Sequence, residues 1–284
     1  NPAALVTPRL AAASADAAAL HAACFRAAVG LYGEVEGAVL ARGVDRILSR
    51  PDDLPRAEAS IASGLFDHDS LLLDPPRLYL RDALAIEPAR VREAWLGAVQ
   101  PVAVHSLSRA RGQTLLHDAA GATLATVDCA IIAAGIAGAG LGKLRLRPVR
   151  GQVSLSTAHL AGPPLSWGGY VAPTRDGLLF GATHDRDDEG WDVREGDNAR
   201  NLASLAAVLP DLSACVAPLT GIAGVRAATF HNQPIAGRLS RGVYALTGLG
   251  GHGFALAPLL GEQLAASIAG VAPPLPARVG RLLG

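Results

Sequence analysis

The stretch Val243-Tyr-Ala-Leu-Thr-Gly248-Leu-Gly250-Gly-His-Gly253-Phe-Ala-Leu-Ala-Pro258 decides how this chain is read. A β-branched and aromatic run predicts a strand over 243–247. It enters a turn with glycines at 248, 250, 251 and 253, and a helix is predicted over 254–269. The spacing contains G-x-G-x-x-G. Glycines there let backbone N–H groups come close to a ligand, and a helix N-terminus favours anionic or electron-rich atoms. An ordinary dinucleotide unit does not fit, because residues 254–284 supply neither a second strand nor an acidic residue at the required distance. Two readings stay open: a tight turn alone, or a helix N-terminus that faces a bound cofactor but not its pyrophosphate. The second is preferred.

Two further elements extend the pattern. Cys129-Ala-Ile-Ile-Ala-Ala-Gly135-Ile-Ala-Gly138-Ala-Gly140-Leu-Gly142 is again an apolar run entering glycines. Its segment 129–134 reads as a strand buried on both faces. Its glycines form either a bare loop or a close backbone approach to a cofactor. In Gly224-Val-Arg226-Ala-Ala-Thr229-Phe-His-Asn-Gln-Pro234-Ile-Ala-Gly237 an arginine stands in a mostly apolar segment. Burying it unpaired is costly, so it is either paired with an internal acid or open to an anionic substrate. A planar guanidinium suits two-point capture of a carboxylate.

Elsewhere, helices are predicted over 11–31, 56–65, 89–97 (behind Pro88) and 197–209. Strands are predicted over 37–41, 71–73, 77–80, 102–107, 113–117, 123–126, 149–155, 169–171 and 178–182. This order implies an α/β or α+β architecture with two domains whose segments alternate along the chain.

Half of the 284 residues are apolar and 18% are charged, which suffices for a buried core and argues against disorder. The formal net charge is zero, which argues against a protein whose main task is gripping polyanions. Arg42, Arg46, Arg50 and Arg56, and Arg145, Arg147 and Arg150, form two loose clusters, read first as solvated surface. Cys24, Cys129 and Cys215 match neither a disulfide framework nor a zinc site, so a reducing cytoplasm is expected. No apolar run is long enough for a membrane span. His184, Asp185, Asp187, Asp188 and Glu189 surround Arg186 and read as a solvated loop; no metal is expected. The chain contains no methionine and begins Asn1-Pro2, so it is expected to be a piece of a longer product.

Together these elements resemble the FAD-dependent D-amino-acid oxidase and glycine oxidase superfamily. The resemblance rests on Ala133-Ala134-Gly135, Arg147-Pro148-Val149-Arg150-Gly151-Gln152, Arg226-Ala-Ala-Thr with Pro234-Ile-Ala-Gly237, and the turn Gly248-Leu-Gly-Gly-His-Gly253. Asn1-Pro-Ala-Ala-Leu-Val-Thr-Pro-Arg-Leu10, Trp167-Gly-Gly-Tyr170-Val-Ala-Pro173, Leu179-Phe-Gly-Ala-Thr183 and Ala257-Pro258-Leu259 look like one branch. That branch is the oxidoreductase half of the bifunctional tRNA 5-methylaminomethyl-2-thiouridine biosynthesis proteins.

The resemblance implies a D-amino-acid-oxidase-like two-domain fold. A Rossmann-like FAD-binding domain would comprise 1–36, 98–147 and 220–284, and an antiparallel-sheet substrate domain 37–97 and 148–219. It implies FAD as cofactor, tRNA as substrate, and oxidation of the carboxymethylaminomethyl group of a wobble uridine to aminomethyl, with release of glyoxylate. Arg226 would hold the carboxylate, Tyr170 would line the same pocket, and Gly250 would stand at the reacting end. Asn1, Pro2, Gly135, Arg226, Gly248, Leu249, Gly250, Gly251, His252, Gly253 and Phe254 would touch the cofactor. The family's N-terminal strand with its own G-x-G-x-x-G is missing from this sequence, as is the methyltransferase half, which is expected as a covalent or non-covalent partner. Two alternatives stand beside this reading: an oxidase or dehydrogenase of glycine or another small amine carrying a carboxylate, and a truncated non-catalytic fragment that needs a partner chain.

Overall fold

The computed structural model describes residues 1–10 and 14–283. Its centre is the strand Gly177–Gly181, buried at every position, which pairs with Tyr170–Thr174 along one edge and with Leu146–Ser156 along the other. Pairing continues outward into a ten-stranded sheet. Its order is Ala4–Val6, Arg77–Ile86, Val39–Ile47, Leu165–Ser166, Tyr170–Thr174, Gly177–Gly181, Leu146–Ser156 and Asp185–Arg186. Leu71–Asp74 adds to Arg77–Ile86, and Thr220–Thr229 pairs with Leu146–Ser156 from residue 146 to residue 155. Every pairing is antiparallel except that of Leu165–Ser166 with Val39–Ile47. Two smaller sheets complete the mixed α/β architecture: a meander Ser106–Ala110, Gln113–His117, Thr123–Val127, and a group in which Val243–Thr247 lies between Ile235–Ser240 and the parallel strand Ala130–Ile132.

Several expectations change in the structure. The run 129–134 is a three-residue edge strand, not one buried on both faces: Ile132 is buried but Ile131 is 48% exposed. Apolar composition alone does not separate an edge from a centre. The strand expected over 102–107 begins only at Ser106, and the one expected over 37–41 runs to Ile47 through Arg42, Asp45 and Arg46. Thr220–Thr229, the ten-residue strand that carries Arg226, was not anticipated. The first helix is Ala15–Gly33, with the Ser14 hydroxyl accepting from the Ala17 N–H at 3.2 Å. The part of its expected range over 11–13 lies outside the described residues, as does residue 284.

The first helix packs against the last, Gly253–Ala269, through Leu20, Cys24, Leu256 and Leu260. Pro258 lies inside that last helix. A proline has no N–H, so the carbonyl four residues back, at Phe254, loses its helical partner. The Tyr32 hydroxyl supplies the replacement, donating to the Phe254 carbonyl at 2.9 Å. Tyr32 is buried, its ring stacked on Trp95 and set edge-on to Phe254. The start of the last helix is thereby pinned to the first. Among the described residues no helix is long and apolar enough to cross a membrane, and Cys24, Cys129 and Cys215 are all free.

Removing the Tyr32 hydroxyl leaves that carbonyl without a donor, at a cost of about 1–2 kcal/mol. Tyr32→Phe is therefore expected to lower the unfolding free energy by that amount. Adding Pro258→Ala, which restores an N–H, should make the double variant less destabilised than the two single losses predict; denaturant unfolding of all four proteins checks this.

Candidate active site

The pairing of Thr220–Thr229 with Leu146–Ser156 sets Arg226 opposite Val149, Ala228 opposite Arg147 and Gly224 opposite Gly151. Directly opposed residues point to the same side of a sheet, and sides alternate along each strand. Arg147, Val149, Gly151, Arg226 and Ala228 therefore share one face, and Arg150, Gln152 and Ser154 take the other.

That second face is a closed polar layer. Arg150 is fully buried; its guanidinium bonds to the Asp197 carboxylate, to the Asp192 carbonyl at 2.6 Å and to Gln152 Oε1 at 3.2 Å. Gln152 Nε2 donates to Asn198 Oδ1 at 3.0 Å, and Asn201 Nδ2 donates to the Gln152 carbonyl at 2.9 Å. Asp197, Asn198 and Asn201 stand on the helix Glu195–Ala206, which is thus fastened beneath the strand. Arg200 joins Asp185 to Asp197, and its bonds hold the Asp185 carboxyl below its ordinary value.

The first face opens into a cavity of about 330 Å³ lined by both strands and by the glycine turn 248–252. Gly248 and Gly250 take positive φ, +72° and +55°, which glycine adopts without strain. A Cβ on Gly248 would come 2.6 Å from Thr229 Cγ2, and Ala228 forms a bridge with Leu249, so the turn is tied to the end of the arginine-bearing strand. Arg226 lies across Gly151: a Cβ there would stand 2.2 Å from Arg226 Nη1. That Nη1 is buried and has no hydrogen-bond partner. Burial holds the Arg226 pKa down, and the only group acting against this is Tyr170. No internal acid claims this arginine among the described residues, which leaves it open to an anion.

His252 lines the same cavity. Burial, then the charges of Arg9 and Arg46, lower its pKa to about 4. His21 is lowered to about 4 by burial, Arg9 and His252; its Nε2 lies 3.1 Å from Arg9 Nη1, and its ring is 6.0 Å from that of His252. With Arg9 donating, both rings are neutral near pH 7.

Of the residues expected at a site, Arg226, Gly248, Leu249, Gly250, Gly251 and His252 meet around this cavity. Gly253 and Phe254 open the helix behind it. Tyr170 lies on the same face of the sheet, close enough for its ionisation to feel Arg226, but not on the cavity wall. Gly135 begins a short 3₁₀ turn outside the lining, and Asn1 and Pro2 also lie outside it. The cavity adds Arg9, Arg147, His184, Arg186, Phe230 and Asn232. The alternation Arg147-x-Val149-x-Gly151 opposite Arg226 is the signal that could have found one of these. Among the described residues, no group of three or more His, Cys, Asp or Glu side chains is arranged to hold a metal. Asp187 and Asp188 pair with Arg147 and Arg194 instead.

Comparison with known proteins places this geometry. The structure matches glycine oxidase from Geobacillus kaustophilus with a TM-score of 0.80 at 17% identity, covering 97% of this chain and 86% of that one. It matches iminodiacetate oxidase from Chelativorans sp. BNC1 with a TM-score of 0.78 at 21% identity, covering 97% and 87%. These likenesses define the fold. The family model of the DAO FAD-dependent oxidoreductases matches residues 10–267, and the chain belongs to that family. It is also 44% identical over its full length to a tRNA 5-methylaminomethyl-2-thiouridine biosynthesis bifunctional protein MnmC of Caulobacter sp. (strain K31), and 37% identical over 99% of its length to one of Maricaulis maris. The chain spans about half the length of these curated relatives, 50% and 47%.

The glycine turn leaves room for a group such as the family's FAD. A Cβ on Gly250, Gly251 or Gly253 would meet nothing within 4 Å, so the backbone there faces open space. The N-terminus of the seventeen-residue helix Gly253–Ala269 adds a partial positive charge.

The two histidines give the site a pH signature. Both are depressed from 6.5, so they stay neutral in the folded chain while they charge in the unfolded one. Their contribution is complete above about pH 6.5 and is lost as pH falls towards 4. For the buried His21 the loss is about 3 kcal/mol at 1.36 kcal/mol per unit. Thermal unfolding from pH 7 to 4 should show this decline, and His21→Gln should flatten it; a decline unchanged in that variant would contradict the assignment.

Proposed function

We propose that this chain is the oxidising part of a tRNA-modifying enzyme. It converts the carboxymethylaminomethyl group on the wobble uridine of certain tRNAs to aminomethyl; the carbon between nitrogen and carboxylate is oxidised, and water releases it as glyoxylate. The observation that carries this reading is the partnerless, buried Nη1 of Arg226 in a cavity that the glycine turn also lines. Support comes from the relatives of 44% and 37% identity, and from Arg9, Arg147 and Arg186 on the cavity wall, which suit a polyanionic substrate better than free glycine.

FAD, when bound, supplies the two-electron acceptor for the hydride of that carbon. Arg226 grips the substrate carboxylate at two points, which fixes the adjacent C–H relative to the glycine turn. Gly151 leaves the room in which the guanidinium lies. Tyr170, whose pKa is raised by burial, remains a neutral phenol beside it. His252, neutral as well, adds no charge near the turn and leaves the helix N-terminus to favour electron density there. The same reading assigns 1–36, 98–147 and 220–284 to the cofactor and 37–97 and 148–219 to the substrate, in a cytoplasmic protein with a methyltransferase partner.

The test uses the FAD-loaded protein and tRNA carrying the carboxymethylaminomethyl nucleoside, with mass spectrometry of the nucleoside and assay of glyoxylate. Aminomethyl nucleoside and glyoxylate in equal amounts are expected. Turnover of glycine with no change in the tRNA would overturn the reading in favour of a small-amine oxidase. Arg226→Ala should lower kcat/KM by about 100-fold or more, from the loss of a buried charged bond, while flavin absorbance of the purified protein stays near that of the parent. Gly151→Ala, which displaces the guanidinium, should raise KM in the same assay without adding or removing any polar group.

A further inference from the structure

We propose that Phe230 is a stacking platform for an unpaired base next to the modified uridine, with Arg145, Arg147 and Arg186 guiding the phosphates past it. This rests on the tRNA reading above and adds how the strand is held. A single exposed phenylalanine carries no message by itself. Phe230, however, is 57% exposed and lies on the wall of the same cavity as Arg226. Its ring has the Arg145 guanidinium 5.7 Å from the centroid, and Arg145 is itself exposed. With the arginine over one face, the exposed ring has its other face for a base, and any base can stack there because every base has a π-face.

The loop that carries the ring is closed by its own hydrogen bonds. Thr229 Oγ1 donates to the Gln233 carbonyl at 2.7 Å and accepts from the Gln233 N–H at 3.0 Å, which closes the loop that carries Phe230. Thr229 also packs against Gly248 of the glycine turn. Binding therefore need not order the backbone of that loop. The cavity wall beside the ring carries Arg9, Arg147, Arg186 and Arg226 and, among the described residues, no carboxylate. Arg147 is exposed in part and shares Asp187, at 2.8 Å from Nε to Oδ1. Arg186 is exposed, and its guanidinium forms no ion pair among the described residues; Asp185 beside it is taken by Arg200. The chain as a whole has no net charge, so this excess of arginine is local. It meets what a nucleic acid needs: cations for the backbone and a flat face for a base. Neither feature has a use in binding glycine.

The test reads binding and turnover separately. Binding of a fluorescent anticodon stem-loop RNA to the FAD-loaded protein is followed by anisotropy, and kcat/KM is measured for a modified stem-loop and for the free modified nucleoside. In Phe230→Ala the RNA is expected to bind about 10-fold more weakly, the usual effect of losing one stacked base. The ratio of stem-loop to nucleoside kcat/KM should fall by a similar factor, and Phe230→Trp should restore both. Arg186→Ala should weaken RNA binding and reduce its salt dependence. If Phe230→Ala binds the stem-loop like the parent and keeps the parent's ratio, the platform is overturned while the tRNA reading stands. If the parent binds no stem-loop and oxidises only the nucleoside or a small amine, the tRNA reading fails and the platform with it.

Discussion

The register of the strand Leu146–Ser156 is the constraint on which the rest depends. Arg150 is buried without exposure to solvent, and a guanidinium in that position is tolerated only if it is neutralised and hydrogen-bonded. Asp197 does this from the helix beneath the sheet, the Asp192 carbonyl from the segment before that helix, and Gln152 from the same strand. Because side chains alternate, fixing Arg150 and Gln152 downward turns Gly151 upward, to the side where Arg226 lies. A slip of one residue would bring Arg150 into the cavity and bury Gly151 against the helix. The unpaired Nη1 of the arginine on one face thus depends on the ion-paired arginine on the other, whose two Nη groups are both bonded. Losing Asp197 would leave the buried Arg150 with Asp185, 4.0 Å away, as its one remaining ion-pair partner among the described residues.

A second set of contacts brings the glycine turn to the same place. Leu249 bridges to Ala228, Gly248 packs on Thr229, and the helix that follows is held by the Tyr32 hydroxyl at the carbonyl left free by Pro258. The result is a cavity lined by Arg226 and three further arginines, by the open backbone of the turn and by the neutral His252. In the proposed reaction that division of labour has a clear sense. The cation orients the substrate through a group that does not react, and the glycines leave space where a bulky side chain would keep a flat ring at a distance.

Part of this was legible in the sequence. The strand–turn–helix over 243–269 could be read because its signals are local: a β-branched run, clustered glycines and an apolar helix. Arg226 could be singled out as a cation in an apolar segment. Its strand could not, because Gly221 and Gly224 are poor strand formers and the pairing that makes it a strand comes from residues 146–155. Arg9, Arg147, Arg186 and Phe230 come from four separate segments and meet only through the sheet. Arg145, Arg147 and Arg150 read as solvated surface from the sequence; Arg145 is exposed and Arg147 partly so, but Arg150 is fully buried, because the strand's alternation turns it onto the acids of the helix beneath. The run 129–134 misled in the other direction, since a strand's place at an edge is decided by what pairs beside it.

A crystal structure of the protein with FAD and a non-oxidisable carboxylate addresses the central claim most directly. The account expects both carboxylate oxygens on the Arg226 guanidinium, which still lies over Gly151, with the rest of the molecule extending towards the turn 248–252. An Arg226 side chain turned to an internal acid, with the carboxylate bound on Arg147, Arg186 or elsewhere, would contradict it.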